Sequence, residues 1–270
     1  MTGIIACSTG GWVPATWAQE KPATAEKPPR VAMANPLAVL PGQSAKVTLR
    51  GWDLEQATEV RVSNSRVQLK IAGKGKAAVP NKQDAKQVGD TQLELDVTVP
   101  ADEPPGEMTL TVVGTKQESA AYAVWIGSSL PLMAEVEPND GFGKAQAVEL
   151  PRVVDGQIHG DQNVDLFMFE LSEPQSVTIE VHARRRGSGL DSVLTLYSER
   201  RAILAVSDDS VEVPPASGAG ATSAAGATRA RADSRIERRL PAGKYYVSLQ
   251  DACDHGGVTH PYRLMFTRGK

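Results

Sequence analysis

A two-residue hydrophobic period constrains this chain more than any other feature, and no stretch replaces it with a sustained 3.6-residue period. "AKVTLRG" puts Val47 and Leu49 on one face, and "TEVRVS" does the same with Val60 and Val62. "VQLKIAG" follows with Val67, Leu69 and Ile71, "LELDVTV" with Leu93, Leu95, Val97 and Val99, and "EMTLTVVG" with Met108, Leu110 and Val112, before "YAVWIG". The pattern resumes in "VDLFMFEL", through Phe167, Phe169 and Leu171, and in "SVTIEVHA", through Val177, Ile179 and Val181. "SVLTLYS", "AILAVSD", "KYYVSLQD" and "PYRLMFT" complete it. Turn chemistry separates the runs: in "LPGQ", "PADEPPGE" and "LPAGK" proline presets φ and glycine accepts positive φ. Half-buried strands joined by such turns make an all-β chain of consecutive β-sandwiches. A short helix near Gly143–Val148 is the most helix the sequence allows.

A length of 270 residues suits two domains. The break falls at "SSLPLMAEVEPND", giving a first sandwich over 31–127 and a second over 128–270. Within the second, Pro214–Ala232 ("PPASGAGATSAAGATRARA") is low in complexity and reads as an insertion between strands. Residues 1–30 read as a truncated signal peptide and a Pro/Lys/Glu/Ala linker, with Thr16-Trp17-Ala18 offering a small-residue cleavage site before Gln19. The alternatives are a lipobox at Cys7 and a plain N-terminal tail. With only Cys7 and Cys253, no disulfide framework is available. A formal net charge of -3 gives no global field that would steer the chain to nucleic acid, and no apolar run is long enough to span a bilayer.

Polar chemistry concentrates at the domain break. "EVEPND" holds three carboxylates and an amide, and no Lys or Arg lies between Met133 and Gly143 to neutralise them. In an extended chain Glu135, Glu137 and Asn139 point to one side, and Asp140 joins them only if the chain turns. "GDQNVD" sets Asp161, Asn163 and Asp165 at the same alternate spacing before an apolar strand. Together these oxygens suffice for one Ca2+, which takes six to eight oxygen ligands. The same residues also read as a solvated acidic turn.

The stretches "EVEPNDGFGKAQAV", "GQIHGDQNVDLFMFEL", "LDSVLTLYS", "VSDDS", "LPAGKYYVSLQD" and "YRLMF" resemble, in order over about 135–267, the bacterial pre-peptidase C-terminal (PPC) domain, a jelly-roll sandwich of exported proteins. "LPGQSAKVTLRGWDL" and "TVPADEPPGEMTLTVV" resemble an immunoglobulin-like domain of the IPT/TIG type. The tandem is similar to modules of exported planctomycete-type proteins. In collagenase members of the PPC family an E-x-E-x-N-D segment and downstream aspartates bind calcium. The resemblance therefore implies a Ca2+ site at Glu135, Glu137, Asn139 and Asp140, completed by Asp161 and Asp165.

Other candidates have plainer readings. "DACDHGGVTH" brings Asp251, Cys253, Asp254, His255 and His260 together without a standard zinc spacing, and reads as a polar hairpin loop. Arg184–Arg186 and Arg235–Arg239 are basic runs without interleaved aromatics, which suits solvated strand ends and loops better than nucleic acid. Asp208-Asp209 reads as a turn, and Asp191 as a loop tie. Trp52 and Trp125 read as core or interface residues. H-E-x-x-H and G-x-S-x-G are both missing. The sequence thus points to a non-catalytic, secreted, periplasmic or cell-surface accessory or adhesion module. Its partners would be extracellular polysaccharide, cell wall or a protein matrix, or flanking domains that it spaces. The competing reading is an accessory region of a secreted peptidase whose catalytic domain lies elsewhere.

Overall fold

A computed structural model describes residues 27–80, 83–128, 130–210 and 233–269. The predicted leader and the 214–232 insertion lie outside these residues, as does Cys7. Cys253 is an exposed free thiol.

Eight strands build the first sandwich. One sheet orders β1 (Arg30–Asn35), β3 (Ser44–Trp52), β6 (Thr91–Thr98) and β5 (Gln68–Lys76) as β1-β3-β6-β5. The other orders β2 (Ala38–Val39), β8 (Tyr122–Ile126), β7 (Gly106–Val113) and β4 (Glu59–Val62) as β2-β8-β7-β4. The alternation read from the sequence is the burial pattern itself. Val47, Leu49, Leu93, Leu95, Val97, Met108, Leu110 and Val112 fill the space between the sheets. That core is almost wholly aliphatic.

The second sandwich pairs two five-stranded sheets. One contains β10 (Gln146–Ala147), β12 (Val164–Leu171), β17 (Gly243–Asp251), β14 (Ser192–Ser198) and β15 (Ile203–Ser207), in that order. The other contains β16 (Arg235–Leu240), β13 (Gln175–His182), β18 (Pro261–Arg268), β11 (Arg152–Gln157) and β9 (Leu132–Ala134). Its core adds rings to aliphatic side chains: Phe169 stacks on Tyr245 at 5.4 Å, and Phe167 meets Phe266 edge-on at 6.2 Å. The helix allowed near Gly143–Val148 does not form. That stretch makes a turn and then β10, pairing parallel to β12 through Gln146 and Ala147. Backbone bonds to β12 satisfy these residues, so the segment needs no helical bonds of its own.

The two sandwiches touch through specific polar contacts. Arg263 on β18 grips Asp155 on β11 with two 2.6 Å hydrogen bonds and also donates to the Ala38 carbonyl of the first sandwich at 3.3 Å. The Arg186 guanidinium lies 3.2 Å from the centre of the Trp125 ring, so Trp125 is an interface residue. The Thr259 hydroxyl donates to Gln83, whose amide donates to the Gly256 carbonyl. Trp52 stays within the first sandwich, under Arg30 and donating to Ala85.

Candidate functional site

The segment between the sandwiches reverses the usual pattern of burial. β9, at the sheet edge, pairs parallel to β11, and Glu135 extends this pairing by donating its N–H to the Asp155 carbonyl. The Glu135 side chain is then only 4% exposed, whereas its neighbour Val136 is 64% exposed. A strand that turns its carboxylate inward and its valine outward forgoes apolar burial. Some other interaction must compensate the buried charge.

Asp165 is the second inward carboxylate. It occupies the same inward row of β12 as Phe167 and Phe169 and is fully buried. Tyr262, also buried, comes from β18, where it is paired with Gly156. Its hydroxyl lies 2.8 Å from Glu135 Oε1 and 2.8 Å from Asp165 Oδ2. One hydroxyl proton can serve only one of these oxygens at a time. Glycine at 156 makes the approach possible, because a Cβ there would lie 2.5 Å from the Tyr262 ring and 2.8 Å from Glu135 Oε2.

Asn139 closes the cluster. The Glu137–Pro138 peptide bond is cis, and Asn139 behind it is fully buried. The Asn139 carbonyl accepts from Leu166 N–H, and its N–H donates to Glu137 Oε2 at 2.9 Å. Its amide nitrogen donates to Glu135 Oε1 at 3.0 Å. The opposite amide orientation would set oxygen against carboxylate, so Glu135 fixes which way the side chain points. Asn139 Oδ1 and Asp165 Oδ1 are then buried acceptors with no hydrogen-bond partner. Buried polar atoms are nearly always partnered, and an orphan costs about 1–3 kcal/mol. Burial pushes the Asp165 carboxyl up to about 9, with Glu135 adding to the effect and the Tyr262 hydroxyl opposing it. Burial likewise pushes the Tyr262 phenol well above its usual range, and the two carboxylates push it further.

His159 stands at the outer side. Its Nδ1 is 3.1 Å from Glu137 Oε1 and 3.9 Å from Glu135 Oε2. Its N–H donates to the Asn163 side chain at 2.8 Å, which fixes the loop after β11. Glu135, Glu137 and His159 each offer a ligand atom, all within 4.8 Å of one another. Beside them, a cleft of about 260 Å³ between the sandwiches is lined by Asn35, Leu37, Asp155, His159 and Tyr262, among others.

Of the residues singled out in the sequence, Glu135, Glu137, Asn139 and Asp165 come together. Asp140 and Asp161 are exposed, outside this hydrogen-bonded group. Gln162 takes a φ of +64° in a turn, so the Asp161–Asn163–Asp165 alternation breaks before β12 begins. Asp161 instead lies where its charge acts on His260. Sequence reasoning missed His159 and Tyr262. The signal for His159 was its position in "GQIHGDQN", two residues past the strand end that carries Gln157. Nothing local marks Tyr262.

The other candidates have structural partners. Asp251 accepts the N–H groups of Asp191, Cys253 and His255, so "DACDHGG" is a loop built around one buried carboxylate. Asp191, Asp208 and Asp209 cluster near the surface, with Asp191 paired to Arg184 at 2.6 Å.

No family model matches the sequence, and no curated protein matches it. Among solved structures, the pre-peptidase C-terminal domain of a Bacillus anthracis collagenase is similar to 49% of this chain over its whole length, at 16% identity and a TM-score of 0.33. SGBP-B of the Bacteroides ovatus mixed-linkage glucan utilization locus, solved with a heptasaccharide, covers 89% of this chain and 74% of its own at 9% identity and a TM-score of 0.27. The C-terminal domain of the Streptococcus agalactiae AgI/II polypeptide BspA covers 90% and 92% at 7% identity and a TM-score of 0.24. Likenesses this slight carry no function across to the chain.

Proposed function

We propose that this chain is a non-catalytic, exported accessory module whose second sandwich is stapled to the interdomain segment by a calcium ion. The observation that carries the calcium reading is Asp165 Oδ1, an oxygen of a fully buried residue with no hydrogen-bond partner, on a carboxylate that the inward Glu135 acts on. Asp165, Glu135 and the neighbouring Asn139 and Glu137 offer oxygen donors, the kind a hard cation selects. A cation between Glu135 and Asp165 would partner the Asp165 orphan and balance two carboxylates that share one hydroxyl. The residues present therefore fit the ion.

Cation binding would hold Glu135–Asn139 against β11 and β12, and so fix where the first sandwich leaves the second. The contacts of Arg263, Arg186 and Gln83 already join the two sandwiches. The resulting role is to hold flanking domains, or a surface for matrix, cell wall or polysaccharide, at a set geometry. Thermal unfolding of the full chain in calcium and in chelator tests this. A calcium-dependent rise in midpoint, abolished by Asp165→Asn, supports it. An unchanged midpoint up to millimolar calcium refutes it.

A further inference from the structure

We infer that the outer face of the sheet ordered β10-β12-β17-β14-β15, around Tyr197, Ile203 and Val206, is a binding surface for an uncharged polysaccharide. The inference rests on the accessory-module reading above and adds to it a surface and a ligand class. Leu194 and Leu196 of β14 point into the core, so Thr195 and Tyr197 point out. Strand register then lays two rows of residues across this face. One runs Met168–Tyr246–Tyr197–Ile203 and the other Leu166–Ser248–Thr195–Val206. Neither row carries a charge. Lys244 and Glu170, one position beyond the first row, pair with each other at 3.3 Å.

The rings on this face are braced. Phe142 meets Tyr197 and Tyr246 edge-on, with ring centres 5.2 Å apart in each pair, and the Arg201 guanidinium lies 4.9 Å from the Phe142 ring centre. The Tyr197 hydroxyl lies 3.5 Å from Ser248 Oγ in the neighbouring row, so its ring leans along the sheet instead of standing off it. Ile203, cross-strand from Tyr197, and Val206, cross-strand from Thr195, are 63% and 58% exposed. A leaning ring beside two exposed aliphatic side chains makes an apolar platform with a hydroxyl at its edge. A sugar ring has the matching chemistry, with C–H groups on its faces and hydroxyls around its edge. An uncharged sugar brings no ion that must be desolvated on this face, whereas a polyanion would meet no cation in either row. The size of the patch argues against a folded protein partner. A stable protein interface takes about 800 Å² from each side, and three side chains fall well short of that. A polysaccharide needs no such area, because successive repeats of one chain rebind the same platform.

The test is affinity electrophoresis of the full chain through gels holding neutral β-glucan, xylan or mannan, or acidic alginate. The natural protein is compared with Tyr197→Ala and with the double variant Ile203→Ser/Val206→Ser, which changes only exposed side chains and so keeps the test open if Tyr197→Ala fails to fold. At least one neutral polysaccharide is expected to retard the natural protein, with little dependence on salt. The double variant should bind about 3- to 10-fold more weakly, and Tyr197→Ala more weakly still. Equal retardation of the natural protein and both variants overturns the inference and leaves polysaccharide binding to another surface. Retardation by alginate alone, lost in salt, overturns it in favour of a polyanion site. Self-association of the natural protein that the double variant loses would make the face a protein interface and overturn it as well. Retardation by none of the four overturns the inference and removes polysaccharide from the partners of the module, while the calcium staple stands or falls on its own melting experiment.

Discussion

Two buried aspartates of the second sandwich meet opposite surroundings. Asp233, with an entirely buried carboxylate, accepts the N–H groups of Ala183 and Arg184 and lies 2.8 Å from the Arg185 guanidinium. Burial pushes its carboxyl up, and these donors and the arginine pull against that. Asp165 is as deeply buried, yet it has only a shared tyrosine hydroxyl and a second carboxylate, Glu135, for company. Burial alone therefore does not mark a functional carboxylate. One aspartate is a finished structural element, and the other is a site that a cation would complete.

The sharpest way to break this contrast is to remove the finished one. Asp233→Ala leaves the Ala183 and Arg184 N–H groups unpaired and takes one of two carboxylates from the Arg185 guanidinium, which keeps Glu180, and should cost about 3–5 kcal/mol. Because that loss does not involve a cation, denaturant unfolding should give the same value in calcium and in chelator. A loss confined to calcium would make Asp233 part of the cation site and erase the distinction.

Next in size is the calcium effect itself. Calcium at about 100 times its dissociation constant should add about 2.7 kcal/mol to the natural protein. Gly156→Ala should abolish that gain, since its Cβ would displace the Tyr262 ring and Glu135. Calorimetric titration of the variant checks this. A variant that binds calcium normally would show that the close packing at Gly156 does not shape the site.

The pH dependence separates the two aspartates in a different way. In chelator, folded Asp165 keeps its proton up to about pH 9, whereas the unfolded chain loses it near the ordinary carboxyl value of 3.8. Between these limits the folded state binds more protons, so stability falls as pH rises. Thermal melts from pH 4 to 9 should show that slope in chelator. Asp165→Asn should flatten it, and so should saturating calcium, which holds the carboxylate ionised in the folded state. A slope unchanged in Asp165→Asn would place the titrating group elsewhere.

How much of this was legible in the sequence follows from what each signal depends on. Strand faces depend on local alternation, so Leu93, Leu95 and Val97, or Phe167 and Phe169, could be placed inside before any fold was known. The site was legible where it kept to the same rule. Glu135 and Asn139 share a parity, and Asp165 sits in the inward row of β12, where a carboxylate is conspicuous. It was illegible where geometry is non-local or the backbone leaves the extended region. Tyr262 arrives from a strand 97 residues beyond Asp165. Gln162, in left-handed backbone, uncouples Asp161 from the row it was expected to share.

That last point supplies the smallest expected effect. Asp140 and Asp161 carry the right chemistry in the right neighbourhood, and spacing alone would count them as ligands. Both are exposed, so burial gives neither a large desolvation cost for a cation to repay. Asp140→Ala and Asp161→Ala should each change calcium affinity by less than about threefold, with the residual effect screened by salt, as expected of surface charges acting at a distance. Glu135→Gln, measured in the same titration, should abolish binding. If Asp140→Ala abolishes it as well, the loop after Asn139 closes onto the ion, and the cation site is wider than the buried cluster.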